Sequence, residues 1–471
     1  MLRLTRSTVY PIGLDIGHDS VKVIQLGRAG NSLSVVASAQ TTVSVPEDST
    51  PQDRLEAGIE AVRQTLRRGG FHGRKAVAAL PREVLHVRNL RLPPMPASEL
   101  PAIVQFEAKN VLPFDASDAA IEFLPAGEVR QGAELRQEVI VLGARNQDLD
   151  QYIEMISHSG VVLAALDIQP CALYRTIDRF VRRREDEHEV CVLVDVGAQR
   201  SQVVIGKGRD ISFIKLIDIG GRHFQSAVSR KLGTSLEETQ SLRRRLAEPI
   251  SAEPPVRGAE ERDPVRQAAN DATRALMEEL GREIALCLRY YSVTFRGQRP
   301  MKIRLVGGEA YDPQLLIVLN RVLPIPVEIA RVLVNVDTSR MSMEGRRGAM
   351  SEWGVALGLA LKCVEGSFGP RDGRPRTSTR EEATIAAQMV DIQSGLQAAN
   401  AVAELPIAPP AETSVATTVE LPVAMPVEPP VVVAAEVPAV TPAEPPAMTP
   451  VEPPPAPIPE STTPIPEASH A

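Results

Sequence analysis

One pattern occurs twice in this chain and limits what it can fold into. Ile12 to Val23 reads IGLDIGHDSVKV: an apolar run, an Asp-x-Gly turn and a second apolar run. From Val190 the order returns, with Val190–Val194 as strand, Asp195-Val196-Gly197 as turn and Ser201–Gly206 as the returning strand. Apolar runs bounded by Gly/Asp turns predict hairpins. A third strand is expected after each, at 33–43 and 211–217. Two such units about 180 residues apart predict two like-folded halves facing each other across a cleft, each offering a turn to one ligand.

The turns carry the chemistry. Asp15, at the end of a buried strand, can hold a hydrated Mg²⁺, which prefers one or two carboxylates together with phosphates and water. Gly17 lets the backbone approach a ligand and is expected to take up positive φ. Exposed amides and Ser20 can hold phosphate oxygens, with Lys22 as a compact cation. A strand ending in Asp-x-Gly is, taken alone, more often an ordinary turn, so the second copy at Asp195 is what gives the reading weight. A third element, strand 303–306 ending in Gly307-Gly308 before a helix near Pro313, lets a flat ligand lie against the backbone.

Composition sets the frame around these elements. With 471 residues, 43% hydrophobic, the chain is long enough for two or three domains, and at 3% aromatic its cores must be aliphatic. Four widely spaced cysteines without a C-x-x-C pair argue for reduced thiols in a cytoplasmic protein. Seven histidines show no paired ligand spacing, which leaves Mg²⁺ as the metal expected. The start, MLRLTRSTVYPIG, lacks the apolar core of a signal peptide. No stretch reaches the ~20 apolar residues that span a bilayer, so membrane association is expected only through a partner. All 52 Lys and Arg lie at or before Arg380 and 12 of the 59 acids lie after it, so the body carries +5 and offers no case for nucleic acid.

Four segments follow. Residues 1–80 form the first half of one lobe, with a helix at 53–68 after the strands and a short strand at 76–80. Residues 81–165 have a different texture. A strand at 84–92, a proline break, a helix from a Ser98 cap to about Asn110, strands at 119–124 and 138–144 and a helix at 148–160 predict a small inserted α+β subdomain. Residues 166–368 hold the second hairpin, a helix after Gly220-Gly221, another capped by Ser235, a loop at 247–263 and a long helix at 264–291. That helix is expected to bury Ala272, Leu276, Leu280, Ile284 and Leu288, spaced four apart. A last helix is predicted at 353–364. Residues 369–471 are expected to be disordered: 19 of the 40 prolines lie from Ala401 onward, and a glutamate recurs at every eighth position from Glu404 to Glu460. This tail reads as a solvated linker or a docking arm, and a helical patch at 379–400 precedes it.

Asp15-x-Gly17, Asp195-x-Gly197 and Gly307-Gly308, in that order and with Lys22 at the matching spacing, resemble the phosphate-one, phosphate-two and adenosine motifs of the actin, Hsp70 and sugar-kinase ATPases. The fold this implies is α/β: an actin-like, ribonuclease H-like two-lobed ATPase fold. Within it, GLDIGHDSVKVIQL, LRLPPMPASELPAIVQFEAKNVLPF, VLVDVGAQRSQVVI, IDIGG, LVGGEA and WGVALGLALK resemble the type IV pilus assembly PilM family, relatives of cell-division FtsA, over about residues 10–365.

That resemblance implies a cytoplasmic ATP-binding scaffold that docks the cytoplasmic N-terminus of a PilN-like inner-membrane protein. Self-association in a ring and contact with the pilus motor or other pilus components belong to the same picture. By matching positions, Asp15 and Asp195 would order Mg²⁺, Gly17, Ser20, Lys22, Gly197 and Ser201 would surround the phosphates of ATP, and Gly307 and Gly308 would lie along the adenosine. Gln240 and Arg243 fall where the family approaches the nucleoside. Departures at His18, Arg200 and Gln240 imply at most slow ATPase activity, with no residue identified as the base. A small-molecule kinase and an FtsA-like filament protein are the alternatives on this fold. The first would need a substrate pocket and a positioned carboxylate. The second calls for a basic amphipathic terminal helix, which PIPEASHA does not supply.

Overall fold

The computed structural model describes residues 8–30, 32–46, 49–132, 134–247, 263–295, 299–341 and 348–364. All lie within one of the chain's two compact units, 1–400. The expected tail and its helical patch, and most of the loop expected at 247–263, lie outside the described residues.

The chain opens with three antiparallel strands, β1 (Thr8–Ile16), β2 (Ser20–Ala29) and β3 (Ser32–Thr42). Helix α1 (Pro51–Arg67) begins two residues earlier than expected, because Thr50 and Asp53 form a reciprocal capping box just ahead of it. Strand β4 (Lys75–Ala79) then pairs parallel with β1.

The next elements form their own layer: β5 (His86–Leu92), α2 (Leu100–Val111), β6 (Ala119–Gln131) and β7 (Glu134–Arg145), with sheet order β5-β7-β6. Ser98 does not cap α2. The cap residue is Glu99, in helical conformation and without a side-chain cap bond. A turn from Pro96 already feeds the helix, so no extended residue is available from which a hydroxyl can swing back. Helix α3 (Asn146–Ser157) leads back to the first sheet through β8 (Val162–Asp167) and α4 (Gln169–Asp178). Neither of the last two was expected, since VLAALD lacks alternation and α4 spans only ten residues.

The second half repeats the first. Strands β9 (Val190–Val196), β10 (Ser201–Lys207) and β11 (Asp210–Ile217) form an antiparallel meander. Helices α5 (Gly221–Leu232), α6 (Leu236–Ala247) and α7 (Pro264–Phe295) precede β12 (Ile303–Val306), which pairs parallel with β9. Helix α8 (Pro313–Val322), β13 (Val327–Ile329), β14 (Val336–Asp337) and α9 (Gly354–Leu361) complete the body.

The sheet orders are β14-β3-β2-β1-β4-β8 and β11-β10-β9-β12-β13. Apart from the added edge strand β14, both run third, second, first, fourth, fifth with the same mixture of directions. This duplicated order is the actin-like, ribonuclease H-like arrangement. Helix α7 packs on the second sheet through Met277, Leu280, Ile284, Cys287, Leu288 and Tyr291. Ala272 and Leu276 are only half-buried, because a strict spacing of four advances ~40° per step and walks off the contact face.

One buried ion pair ties the first lobe together. Asp167, at the end of β8, meets Arg175 of α4 at 2.7 Å and Lys362 after α9 at 3.7 Å. Burial works to raise the Asp167 carboxyl, but the two cations hold it below its usual range. Asp167→Asn is expected to cost about 3–5 kcal/mol in urea denaturation at neutral pH, because Arg175 would stay buried without its counter-charge. The folded-state value lies below the unfolded one, so this contribution is full above about pH 4 and lost as pH falls through the depressed value. The gap between wild type and variant should therefore close only in acid.

Candidate functional site

Both Asp-x-Gly hairpins fold into the same turn. In the first, Asp15 pairs with Lys22 and Ile16 with Val21, and the Gly17 N–H donates to the Ser20 carbonyl at 3.0 Å. In the second, Asp195 pairs with Gln202 and Val196 with Ser201, and the Gly197 N–H donates to the Arg200 carbonyl at 3.1 Å. The counterpart of Ser20 is therefore Arg200, and Ser201 corresponds to Val21. A shift of one residue exchanges the faces of a strand. Ser201 accordingly points inward, fully buried, its hydroxyl donating to the Ile219 carbonyl at 2.6 Å, and it does not reach the cleft. Gly17 does not adopt positive φ. Glycine is needed there because a Cβ would lie 2.9 Å from the Ser20 carbonyl oxygen.

The turns face a cleft of about 1060 Å³. Asp15, Gly17, Ser20, Lys22, Asp195, Gly197, Gln240, Arg243, Gly307 and Gly308 all line it, so the structure brings together every expected site residue except Ser201. Asp15 and Asp195 lie one residue before the ends of β1 and β9 and keep 7% and 6% of their surface. Among the described residues, nothing donates a hydrogen bond to the Asp15 carboxylate. Burial raises its pKa, and the Asp195 charge adds to this against the attraction of Lys22 and Arg82.

Asp195 is differently placed. Its Oδ2 accepts from Gln202 Nε2 at 2.8 Å and from Arg82 Nη2 at 3.1 Å. Its Oδ1 faces Gly307, where a Cβ would stand 2.4 Å from that oxygen and 2.5 Å from the Val196 carbonyl oxygen. Gly307 has φ 96°, so both space and backbone demand glycine.

Lys22 Nζ donates to Ser20 Oγ at 3.0 Å, joining two groups expected at the phosphates. His18 pairs through Nδ1 with Asp19 at 2.8 Å, and Arg222 of α5 reaches Asp19 at 3.1 Å. Burial would raise the Asp19 carboxyl, yet the His18 hydrogen bond and the Arg222 charge hold it below the usual range. His18 thus braces the turn through Asp19. Arg243, expected at the nucleoside, donates to Glu309 at 2.6 Å, Asp312 at 2.8 Å and the Gly221 carbonyl at 3.2 Å. Burial opposes its charge, but the two carboxylates raise its pKa further. With these bonds made, Arg243 acts mainly by joining α5, α6 and the start of α8 at the cleft wall.

Arg82 is the site residue that sequence reasoning missed. It lies in the turn after β4 and meets Asp195, 113 positions away, at the cleft floor. No local motif surrounds it; only the pairing of the two sheets makes the contact legible. The carboxylate pair, one member of it unbonded, fits a hard cation held by one or two carboxylates plus phosphate oxygens and water. Among the described residues no cluster of three or more His, Cys, Asp or Glu side chains forms a metal cage.

The fold agrees with that of a PilM-PilN complex chain. A solved structure of a PilM-PilN type IV pilus biogenesis complex is similar at 22% identity, with 76% of this chain and 99% of that chain covered and a TM-score of 0.60. Ethanolamine utilization protein EutJ from Carboxydothermus hydrogenoformans is similar at 15% identity over 75% of this chain and 89% of its own, with a TM-score of 0.44. The family model described as type IV pilus assembly protein PilM matches residues 13–257, more than half of the chain. On that match, the chain belongs to the type IV pilus assembly protein PilM family.

Proposed function

We propose that this chain is an ATP-binding scaffold of a type IV pilus assembly complex, docking the cytoplasmic N-terminus of a PilN-like inner-membrane protein and recruited through it to the inner face of the membrane. Membership of the PilM family supports the scaffold role, and the likeness to a chain of a PilM-PilN complex supports the partner. Among the described residues no helix is long and apolar enough to cross a membrane, which fits recruitment through a partner.

The observation that carries the nucleotide reading is the buried, unbonded carboxylate of Asp15 beside Asp195 on the floor of a large cleft. Bound Mg²⁺ would neutralise phosphate charge there, held by Asp15 and Asp195. Gly17 and Gly197 keep the two turns free of side chains where phosphates would pass. Ser20 and Lys22 offer a hydroxyl and a cation to them, while Gln240, Gly307 and Gly308 flank the nucleoside. Turnover is expected to be slow, since His18, Arg200 and Gln240 depart from the family's pattern at the turns and the nucleoside.

Isothermal titration tests both halves. Mg-ATP should bind, and a peptide from the start of a PilN-like protein should bind the chain with an affinity that changes between nucleotide-loaded and nucleotide-free samples. No heat from the peptide in either condition would remove the partner assignment; no heat from Mg-ATP would remove the nucleotide.

A further inference from the structure

We propose that the Asp19–Arg222 ion pair is a latch between the two Asp-x-Gly turns, which sets how fast a nucleotide enters and leaves the cleft without setting how tightly it binds. The proposal rests on the nucleotide reading given above and deepens it, by naming the contact that regulates exchange at the same site.

Three observations carry it. First, the pair joins the turns themselves. Asp19 lies in the first turn, between Gly17 and Ser20. Arg222 is the second residue of α5, and α5 is rooted on the second turn: the Gly221 N–H donates to the Gly197 carbonyl at 3.0 Å and the Arg222 N–H to the Ala198 carbonyl at 2.6 Å. From there the Arg222 side chain crosses to the first turn, its Nε donating to Asp19 Oδ1 at 3.1 Å. The two turns between which the phosphates would lie are thus tied to each other, and the bond resists their separation.

Second, Asp19 is held in position from its own side. Its carbonyl accepts the Val43 N–H at 2.9 Å, which fixes the turn against the chain just past β3. His18 Nδ1 lies 2.8 Å from Oδ1, the same oxygen that Arg222 uses, and the His18 side chain is only 15% exposed. The carboxylate therefore keeps its aim when Arg222 leaves. Little rotamer freedom is lost each time the bond re-forms.

Third, the pair is placed where it can open. The Arg222 and Asp19 side chains are 30% and 27% exposed, whereas Arg82 and Asp195, which cross between the halves at the cleft floor, are 15% and 9% exposed. An ion pair that water reaches is weak and breaks readily. Its opening lets the turns part on the exposed side while the floor pair keeps the halves together. Neither partner is assigned a phosphate contact, so breaking the bond speeds entry and exit alike.

The test uses the full chain and mant-ATP, a fluorescent ribose-labelled ATP, whose association and dissociation rates are measured in Mg²⁺ for wild type, Asp19→Asn, Arg222→Gln and the double variant. Asp19→Asn separates the latch from simple charge. It removes a negative charge near an anionic ligand, which by Coulomb attraction alone would slow release. The latch requires the opposite: entry and release both about threefold to fivefold faster, with Kd within about twofold of wild type. Arg222→Gln should do the same, and the double variant should exceed neither single one, because all three remove one bond. Thermal unfolding midpoints check that the variants keep the fold, which two partly exposed side chains should leave nearly unchanged. Release from Asp19→Asn no faster than from wild type, faster release from Arg222→Gln with unchanged association, or single effects that add in the double variant would each overturn the proposal alone. A wild type that binds neither mant-ATP nor unlabelled ATP would overturn the nucleotide reading and this inference with it.

Discussion

Asp15→Asn is expected to weaken Mg-ATP binding by at least a hundredfold, on the order of 3 kcal/mol, while leaving affinity for ATP in EDTA within a few-fold of wild type. Asparagine keeps the shape of the side chain and removes only its charge. The lost binding then reports the metal, not a collapsed cleft. The same change should leave the unfolding midpoint equal or raise it, by about 1 kcal/mol, because the wild-type carboxylate is buried with no donor from the described residues. Loss of metal-dependent binding together with undiminished stability is a combination that a purely structural aspartate does not give. Titration calorimetry with and without EDTA, alongside thermal unfolding, measures both; an unchanged Mg²⁺ dependence would remove Asp15 from the site.

The second large effect concerns packing. Gly358→Ala is expected to destabilise the body by more than 4 kcal/mol, enough to prevent recovery of soluble protein. A Cβ at Gly358 would stand 1.7 Å from the Ala172 carbonyl oxygen and 2.3 Å from its carbon, both main-chain atoms of α4. Gly13, on β1, is equally constrained, with a Cβ position 2.2 Å from the Ala356 carbonyl oxygen of α9. Helix α9 is thus clamped between β1 and α4 with backbones nearly touching. Neither side can retreat without opening the core around Leu357, Leu359 and Leu361. Gly308→Ala serves as the control: nothing lies within 4 Å of its Cβ position, and its stability should stay within about 0.5 kcal/mol of wild type. Denaturant midpoints and soluble yield of the two variants decide the matter.

The repeated hairpin made the fold legible, because a buried strand that ends in Asp-x-Gly is a local signal and the two copies share a turn. The acids and glycines of the cleft were legible for the same reason. What was not legible depends on register or on distance along the chain. Ser201 reads as the hydroxyl partner of Asp195 until the ladder shows that Arg200 fills that position, and the difference of one residue sends the hydroxyl into the core. Arg82 has no local motif, and its importance arises only where two sheets meet. Arg243, expected at the nucleoside, lines the cleft, and its engagement by Glu309 and Asp312 depends on a segment 66 to 69 positions away. The short strands β13 and β14 span three residues and two, too few for a periodic pattern to register.

The clamp on α9 also has a consequence in time. Strand β1 ends at Ile16 and α9 begins at Gly354, so roughly 340 residues of chain are made between the two surfaces that must meet. At ~5–20 residues per second, synthesis alone separates them by about 20–70 s. During that interval the first sheet can form its hairpins and bury one face under α1 and α3, while the face meant for α9 stays uncovered. The lobe that carries Asp15 is therefore the first begun and the last closed. Its nascent form presents a half-finished sheet that chaperones would be expected to hold, and the cleft becomes able to take a ligand only after its final helix has docked.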